Sequence, residues 1–299
     1  MKLWEFSTSA DFQESCKKDF KKFQANKMEK CNCHHSLLTE PHAFAIAGIR
    51  EEAVGIRTFI FKGSLQAQPG QFAMVWLPDC DEKPFSISRD FDGEIHFTIC
   101  RVGQFTEKFF TLKIGDRVGL RGPFGRGFQI AKGKSVVLVA GGYGLAPLFF
   151  VAKKAVAAGC RVQIIAGARS ADLLFGQDQF AKLGVKFLPT TNDGSAGVKG
   201  FSTDLLQSIL QNDQVDLVQT CGPEKMMRRV AEICQEGQVP CEVSVERFVK
   251  CGFGVCGQCV VDSGEKMCQS GPVVPGEKAL GFADFGVFHR GAEGQRVDW

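Results

Sequence analysis

The sequence predicts a three-part chain: a small antiparallel β-barrel, then an α/β domain on a parallel sheet, then a small cysteine-rich lobe. Three observations carry this. Short β-type runs fill residues 41–131. From Ser135 onward, apolar strands alternate with amphipathic helical segments. Beyond Glu246, four cysteines gather in a C-x4-C-x2-C array followed by a fourth. A length of 299 residues suits about two ordinary domains with additions, and 44% hydrophobic residues suffice for real cores.

In the first region, residues 42–50, 54–62, 71–77, 85–88, 95–102 and 116–121 read as strands. Turn signals such as Gln68-Pro69-Gly70 and Phe91-Asp92-Gly93 separate them. Strands at this spacing predict a barrel over 41–132. In the second region, 133–246, Val136-Val137-Leu138-Val139 reads as a buried strand, followed by a glycine turn and a helix at 145–158. Strands at 161–166, 185–189 and 215–220 alternate with helices at 171–182, 201–211 and 223–235. That order predicts a parallel sheet with helices on both faces. The third region, 247–299, has too little periodic hydrophobicity for an ordinary core, so a metal staple is expected there.

Residues 1–40 read as an extension. Thr8-Ser9-Ala10-Asp11 is similar to a capping box, and Phe12, Cys16, Phe20 and Phe23 recur at helical spacing beside lysines. A short surface helix is the plainer reading, a docking element for a partner the sharper one. Cys31-Asn32-Cys33-His34-His35 has ligand-type side chains, but so closely spaced that they cannot wrap one ion tetrahedrally without help.

Composition excludes several classes. A net charge of +3 is too small to indicate nucleic acid or a membrane surface. The longest apolar run, 136–152, is interrupted by Gly141, Gly142, Gly144 and Pro147, whereas a span needs about 20 apolar residues. No membrane span is expected. Thirteen cysteines, an odd number, with no apolar leader-like stretch at Met1-Lys2-Leu3-Trp4-Glu5-Phe6, argue against a disulfide framework and for a reducing cytoplasm. Phenylalanine occurs 27 times and tyrosine once, a skew the sequence does not explain.

The strongest chemical signal is Cys251-Gly252-Phe253-Gly254-Val255-Cys256-Gly257-Gln258-Cys259, with Cys268 after it. The first three cysteines have plant-type [2Fe–2S] spacing. Glycines let the backbone curl round the sulfides and aim N–H groups at them. Four-cysteine zinc sites usually present two C-x2-C-like knuckles, so the stretched, glycine-filled arm favours iron–sulfur over zinc. Cys16, Cys80, Cys100, Cys160, Cys234 and Cys241 are scattered and read as small buried residues.

Two turns suit a nucleotide. Val139-Ala140-Gly141-Gly142-Tyr143-Gly144-Leu145-Ala146-Pro147 follows a strand and opens a helix, as does Cys221-Gly222-Pro223-Glu224. Both sit at carboxyl ends of predicted parallel strands, where such sheets bind ligands, and at helix starts, where amides and dipole favour phosphate.

Together these residues resemble the ferredoxin reductase superfamily, in which a flavin-binding β-barrel precedes a nicotinamide-binding α/β domain. Lys83-Pro84-Phe85-Ser86 is similar to its R-x-Y/F-S/T flavin motif, with lysine where arginine is usual. Lysine keeps the charge for a phosphate and loses the forked donor geometry. Pro69-Gly70-Gln71-Phe72 resembles the strand before that motif. Val102-Gly103-Gln104-Phe105-Thr106 resembles the V-G-x-G-T phosphate segment, with Phe105 replacing a glycine, and Gly122-Pro123-Phe124-Gly125 resembles the turn that closes the barrel. The resemblance implies FAD held by Lys83, Pro84, Phe85, Ser86, Val102, Gly103, Thr106 and Gly122, with Phe85 packing on it and Thr106 contacting phosphate. It implies NAD(P) facing Gly141, Gly142, Gly144 and Pro147, with Cys221, Gly222 and Pro223 near the nicotinamide. Glu246 and Cys221 become candidates beside the reacting ring, and Cys251, Cys256, Cys259 and Cys268 the cluster ligands.

The resemblance covers about 41–299. A cluster C-terminal to both domains narrows it to the electron-transfer subunit of class B dihydroorotate dehydrogenase. Ser244-Val245-Glu246-Arg247, Gly271-Pro272-Val273 and Asp284-Phe285-Gly286-Val287-Phe288-His289-Arg290 fit that subfamily. It implies an oxidoreductase subunit passing electrons among NAD(H), FAD and [2Fe–2S]. Its partner would be an FMN-containing dihydroorotate dehydrogenase, in a cytoplasmic hetero-oligomer serving pyrimidine biosynthesis. Similar subunits serve hydrogenases, sulfide dehydrogenases and bifurcating ferredoxin–NADP reductases. A zinc-stabilised nucleotide-binding regulator is the alternative from another class.

Overall fold

Two seven-stranded sheets organise the fold. They were located in a computed structural model that describes residues 40–298. The surface helix and the Cys31, Cys33, His34 and His35 group expected near the N-terminus lie outside the described residues.

The first sheet contains β1 (His42–Ala53), β2 (Ile56–Lys62), β3 (Phe72–Leu77), β4 (Asp81–Ser86), β5 (Arg89–Phe91), β6 (Glu94–Cys100) and β7 (Arg117–Phe124). Its order is β4-β3-β7-β1-β2-β6-β5 and every pairing is antiparallel. Alternation drives one face of each strand inward, and Phe59, Phe61 and Phe97 are fully buried on it. The short helix Gln104–Phe109 caps this interior, with Phe109 edge-on to Phe59 at 4.7 Å. The expected closed barrel is corrected in one respect: no ladder joins β4 to β5. Of the strand expected at 85–88, Phe85 and Ser86 are the end of β4, and Ile87 and Ser88 are the passage between those two edges. There Ile87 donates to the Gln71 carbonyl and Ser88 to the His96 carbonyl, each at 3.0 Å. These bonds tie the two residues to β3 and β6, so the edges are linked along the chain rather than paired with each other.

The second sheet contains β8 (Ser135–Gly141), β9 (Arg161–Ala168), β10 (Lys186–Thr191), β11 (Val198–Lys199), β12 (Leu217–Cys221), β13 (Cys241–Ser244) and β14 (Val273–Pro275). Its order is β11-β10-β9-β8-β12-β13-β14, parallel except for β14. Val136, Val137, Leu138, Val139 and Ala140 are at most 2% exposed, as a strand covered on both faces requires. Leu138 packs with Leu148 and Val151 of the helix Leu145–Ala157, whereas Val137 and Val139 pack with Leu206 and Val230 from the other face. The helix expected at 171–182 is broken. A 3-10 turn, Ala171–Leu173, gives way to extended Leu174 and left-handed Gly176, and only Gln177–Ala181 is α-helical. Among the described residues no helix is long and apolar enough to cross a membrane.

Strand order reverses between β8 and β12, which marks the ligand-binding crevice of such sheets. The turns after these two strands interlock. A Cβ on Gly144 would lie 2.3 Å from the Cys221 carbonyl oxygen, and one on Gly141 would lie 2.6 Å from Pro223 Cδ.

The C-terminal residues are not a bare metal staple. Val245, Val249, Val261, Met267, Val274, Phe282 and Phe285 form one apolar cluster with Phe72, Met74 and Phe124 of the first sheet, Val243 of the second and Met227 of the helix Glu224–Glu236. These residues come from loops and short pieces, so no periodicity announced them. The segment adds β14 to the sheet edge, packs the helix Gly276–Leu280 on the helix Glu224–Glu236, and ends in the hairpin β15 (Phe288–Arg290) and β16 (Arg296–Asp298).

A buried ionic group locks this arrangement. Arg247 Nη1 donates to Glu224 Oε1, and Arg247 Nη2 lies 3.2 Å from Asp284 Oδ1. Glu224 also accepts the amides of Glu246 at 3.0 Å and Gly286 at 2.9 Å. None of the three side chains is more than 4% exposed. Removing one partner strands a buried charge, so Arg247→Met should lose about 3–5 kcal/mol in a denaturant titration. Burial pushes the Glu224 carboxyl up to about 7, against the pull of Arg247. The folded chain therefore binds a proton that the unfolded chain, with its ordinary value of 4.5, releases. This residue's contribution is most favourable below 4.5 and falls as pH rises to about 7. Across that window the wild type should lose stability relative to Glu224→Gln, and a difference that is flat with pH would contradict the assignment. At the interlocked turns, Gly144→Ala forces a methyl into backbone. It should cost about 1–3 kcal/mol, read by the same titration.

Candidate functional site

The crevice at the β8–β12 reversal opens into a cleft of about 860 Å³ facing the first sheet. Lys83, Pro84, Phe85 and Ser86 line it from β4, and Val102, Gly103 and Thr106 from the segment after β6. Gly144, Pro147, Cys221 and Gly222 line it from the interlocked turns, and Glu246 from the chain leading to the cysteines. Gly122, Gly141, Gly142 and Pro223 are not in the wall. Gly122 lies within β7 against Ala73, Gly141 meets Pro223 behind the surface, and Gly142 opens the 3-10 turn Gly142–Gly144.

On the first sheet's side the polar groups are largely committed to one another. Lys83 Nζ is 2.5 Å from Asp81 Oδ2 and 5.2 Å from the Phe248 ring centroid. The Thr106 hydroxyl accepts the amides of Val102 at 2.9 Å and Gly103 at 3.0 Å, and donates to the Gly103 carbonyl at 2.8 Å. Thr106 thus sets the shape of its loop instead of presenting a free hydroxyl to a phosphate. Phe105, where a glycine was expected, stacks on Phe85 at 5.9 Å and 29° and on Phe109 at 5.9 Å and 26°. These rings form a continuous aromatic wall.

Sequence reasoning missed Tyr143, Cys100, Ser244 and His289, all of which line the cleft. Tyr143, Ser244 and His289 lie within quoted motifs but were given no role of their own, and only the fold brings the four together. Glu246 is reached by solvent, yet the surrounding wall pushes its carboxyl up, against His289 and Arg247. Burial pushes the Cys221 thiol up to about 12, with Ser244 pulling it down and Glu246 adding to the rise. Cys221 is therefore a neutral wall residue at ordinary pH, not a nucleophile.

The cysteine loop lies just beyond the cleft. Its four thiols fall into two closely interacting pairs, Cys251 with Cys256 and Cys259 with Cys268. The Gln258 amide points at Cys256 Sγ from 3.5 Å, and the Cys268 amide at Cys259 Sγ from 3.4 Å. The amides of Phe253 and Val255 serve Cys251. Gly254 permits this wrap: its φ is +84°, and a Cβ would lie 2.1 Å from the Gln269 side chain. A [2Fe–2S] cluster takes two thiolates per iron and N–H donors to its sulfurs, so this donor set fits it. Among the described residues no three His, Cys, Asp or Glu side chains converge on a single ion position.

Comparison with known proteins agrees with this geometry. The family described as "Iron-sulfur cluster binding domain of dihydroorotate dehydrogenase B" matches residues 246–279. A "Probable dihydroorotate dehydrogenase B (NAD(+)), electron transfer subunit" of Methanocaldococcus jannaschii is 41% identical over 261 residues, 87% of this chain and 99% of that protein. A protein of the same description from Methanothermobacter thermautotrophicus is 41% identical over 264 residues, 87% of this chain and 98% of its own. Among solved structures, that of the NADH-dependent reduced ferredoxin–NADP oxidoreductase, studied for flavin-based electron bifurcation, has a TM-score of 0.73 at 30% identity, covering 78% of this chain and 88% of that one. The cytochrome P450 reductase of Amycolatopsis shares the fold, with a TM-score of 0.59 at 23% identity over 66% of this chain and 67% of its own. Identity at this level, over nearly the full length of the archaeal relatives, makes the chain a member of the family of dihydroorotate dehydrogenase B electron transfer subunits.

Proposed function

We propose that the chain passes electrons between NAD(H), FAD and a [2Fe–2S] cluster, to or from a dihydroorotate dehydrogenase catalytic subunit containing FMN, in pyrimidine biosynthesis. The observation that carries this is convergence. One cleft is lined at once by the β4 motif, by both nucleotide turns and by Glu246, where the cysteine segment begins. Flavin chemistry accepts a hydride as an electron pair and releases electrons singly, as a nicotinamide donor and a one-electron cluster require.

On this reading residues 41–132 hold the flavin, 133–246 the nucleotide and 247–299 the cluster. Lys83 supplies positive charge for a diphosphate, and Ser86 a hydroxyl beside it. The Phe85–Phe105 wall excludes water from one side of the flavin. Gly144 and Gly222 let the two turns pack backbone against backbone, which shapes the nucleotide-side wall. Neutral Cys221 adds no charge beside the nicotinamide, and Glu246, on the same cleft wall, would orient its carboxamide. Cys251, Cys256, Cys259 and Cys268 hold the cluster, and a reducing cytoplasm suits such thiolates. The likeness to the ferredoxin–NADP oxidoreductase supports a second reading, in which the same three-site chain serves a different catalytic subunit.

The test is an anaerobic visible spectrum before and after NADH, then addition of a dihydroorotate dehydrogenase catalytic subunit with orotate. NADH should bleach flavin and iron–sulfur absorbance together, and orotate with the partner should restore it. A colourless protein indifferent to NADH would sink electron transfer altogether. Bleaching without recovery on orotate would favour the second reading. Cys259→Ser should lose iron–sulfur absorbance and retain the flavin, measured as iron and flavin content per chain.

A further inference from the structure

Tyrosine is used once in this chain against 27 phenylalanines. Phe59, Phe61, Phe97, Phe109, Phe150, Phe180 and Phe285 are fully buried, whereas Tyr143 is 48% exposed and lines the cleft. It sits in the 3-10 turn at the carboxyl end of β8, between Gly142 and Gly144. Gly144 is pressed against the Cys221 carbonyl, so the turn that carries the ring is seated on the end of β12. The same turn touches β6, whose last residue, Cys100, lines the cleft from the first sheet. The ring therefore stands between the wall built by the first sheet and the wall built by Cys221 and Gly222. On the reading above, the nicotinamide must meet the flavin in that passage.

The charges around the ring are few. Glu246, Cys221 and Cys100 face it, and the Glu246 charge, with burial, pushes its phenol well above the ordinary value. It remains a neutral aromatic at any working pH. A side chain with two rotatable bonds, anchored on a fixed turn, offers a flat contact surface at low entropic cost.

We propose that Tyr143 is a positioning residue for the nicotinamide, its ring forming the face against which the nicotinamide is aligned toward the flavin. This rests on the nicotinamide–flavin reading and adds to it a role for the one side chain between the glycines of the first nucleotide turn.

The single tyrosine supplies its own probe. Holoprotein grown with 3-fluorotyrosine carries one fluorine reporter, at Tyr143. NAD+ should shift its resonance, whereas 5′-AMP, which lacks the nicotinamide, should leave it nearly in place. Tyr143→Ala should raise KM for NADH about three- to tenfold, the range of one aromatic contact, and by more than it lowers kcat. Tyr143→Phe should restore KM, since the ring carries the effect. If NADH bleaches the flavin but NAD+ leaves the fluorine resonance unmoved, the proposal is wrong and the electron-transfer reading stands. If Tyr143→Ala fails to hold flavin, the wild-type fluorine measurement still decides. If NADH bleaches no flavin in unlabelled protein, the reading fails and takes the proposal with it.

Discussion

The buried contact of Arg247 with Glu224 and Asp284 fixes how the parts of this chain meet. Glu224 begins the helix after the second nucleotide turn, Arg247 follows the cleft carboxylate Glu246, and Asp284 lies in the tail beyond the last helix. Glu224 also receives the Glu246 amide, so the same group that anchors Arg247 holds the backbone from which Glu246 enters the cleft. Well-packed apolar residues could make such a joint more stable. An ionic joint is more demanding about register, because a displaced partner leaves a buried charge uncompensated. Here register matters, since a small slip would move Glu246 away from Cys221 and the cysteine loop away from the cleft.

The cleft is shaped from both sides by residues that give up their own freedom. On the sheet side, Gly141 and Gly144 allow two turns to approach until backbone meets backbone and proline. On the flavin side, Thr106 closes its loop with its own hydroxyl, and Phe105 extends the wall begun by Phe85. A wall already packed and hydrogen-bonded before a ligand arrives need not be ordered on binding, which lowers the cost of binding.

Much of this was legible in the sequence where a local rule governs a long element. The parallel strands appeared as apolar runs, the glycine turns as breaks after them, and the cluster as cysteine spacing. What escaped depended on partners distant in the chain. β13 and β14 are four and three residues long and exist because the sheet edge accepts them. The break at Gly176 overrides a plausible helical pattern. The C-terminal core is made of single apolar residues from loops, so it shows no period. In the cleft the glycines and the flavin motif were legible because their type suggests a role, whereas Tyr143, Ser244 and His289 stood in quoted segments without a role until tertiary structure brought them together. Thr106 is an intermediate case: its place was readable, but the use of its hydroxyl was not.

The distance between cleft and cluster is settled by the same core. Met267 lines the cleft, and the next residue, Cys268, is one of the four paired cysteines. Phe72 lines the cleft too and packs in the apolar cluster that contains Met267, Cys259 and Cys268. The wall of one site is therefore the floor of the other, with no solvent layer needed between them. Cys259 and Cys268 are buried on that floor, while Cys256 is exposed on the far side with Val255 beside it, 74% exposed. A cluster held by these four thiols would have one pair toward the cleft and one toward the surface. That polarity is what a relay needs: electrons enter through protein and leave where another protein can reach.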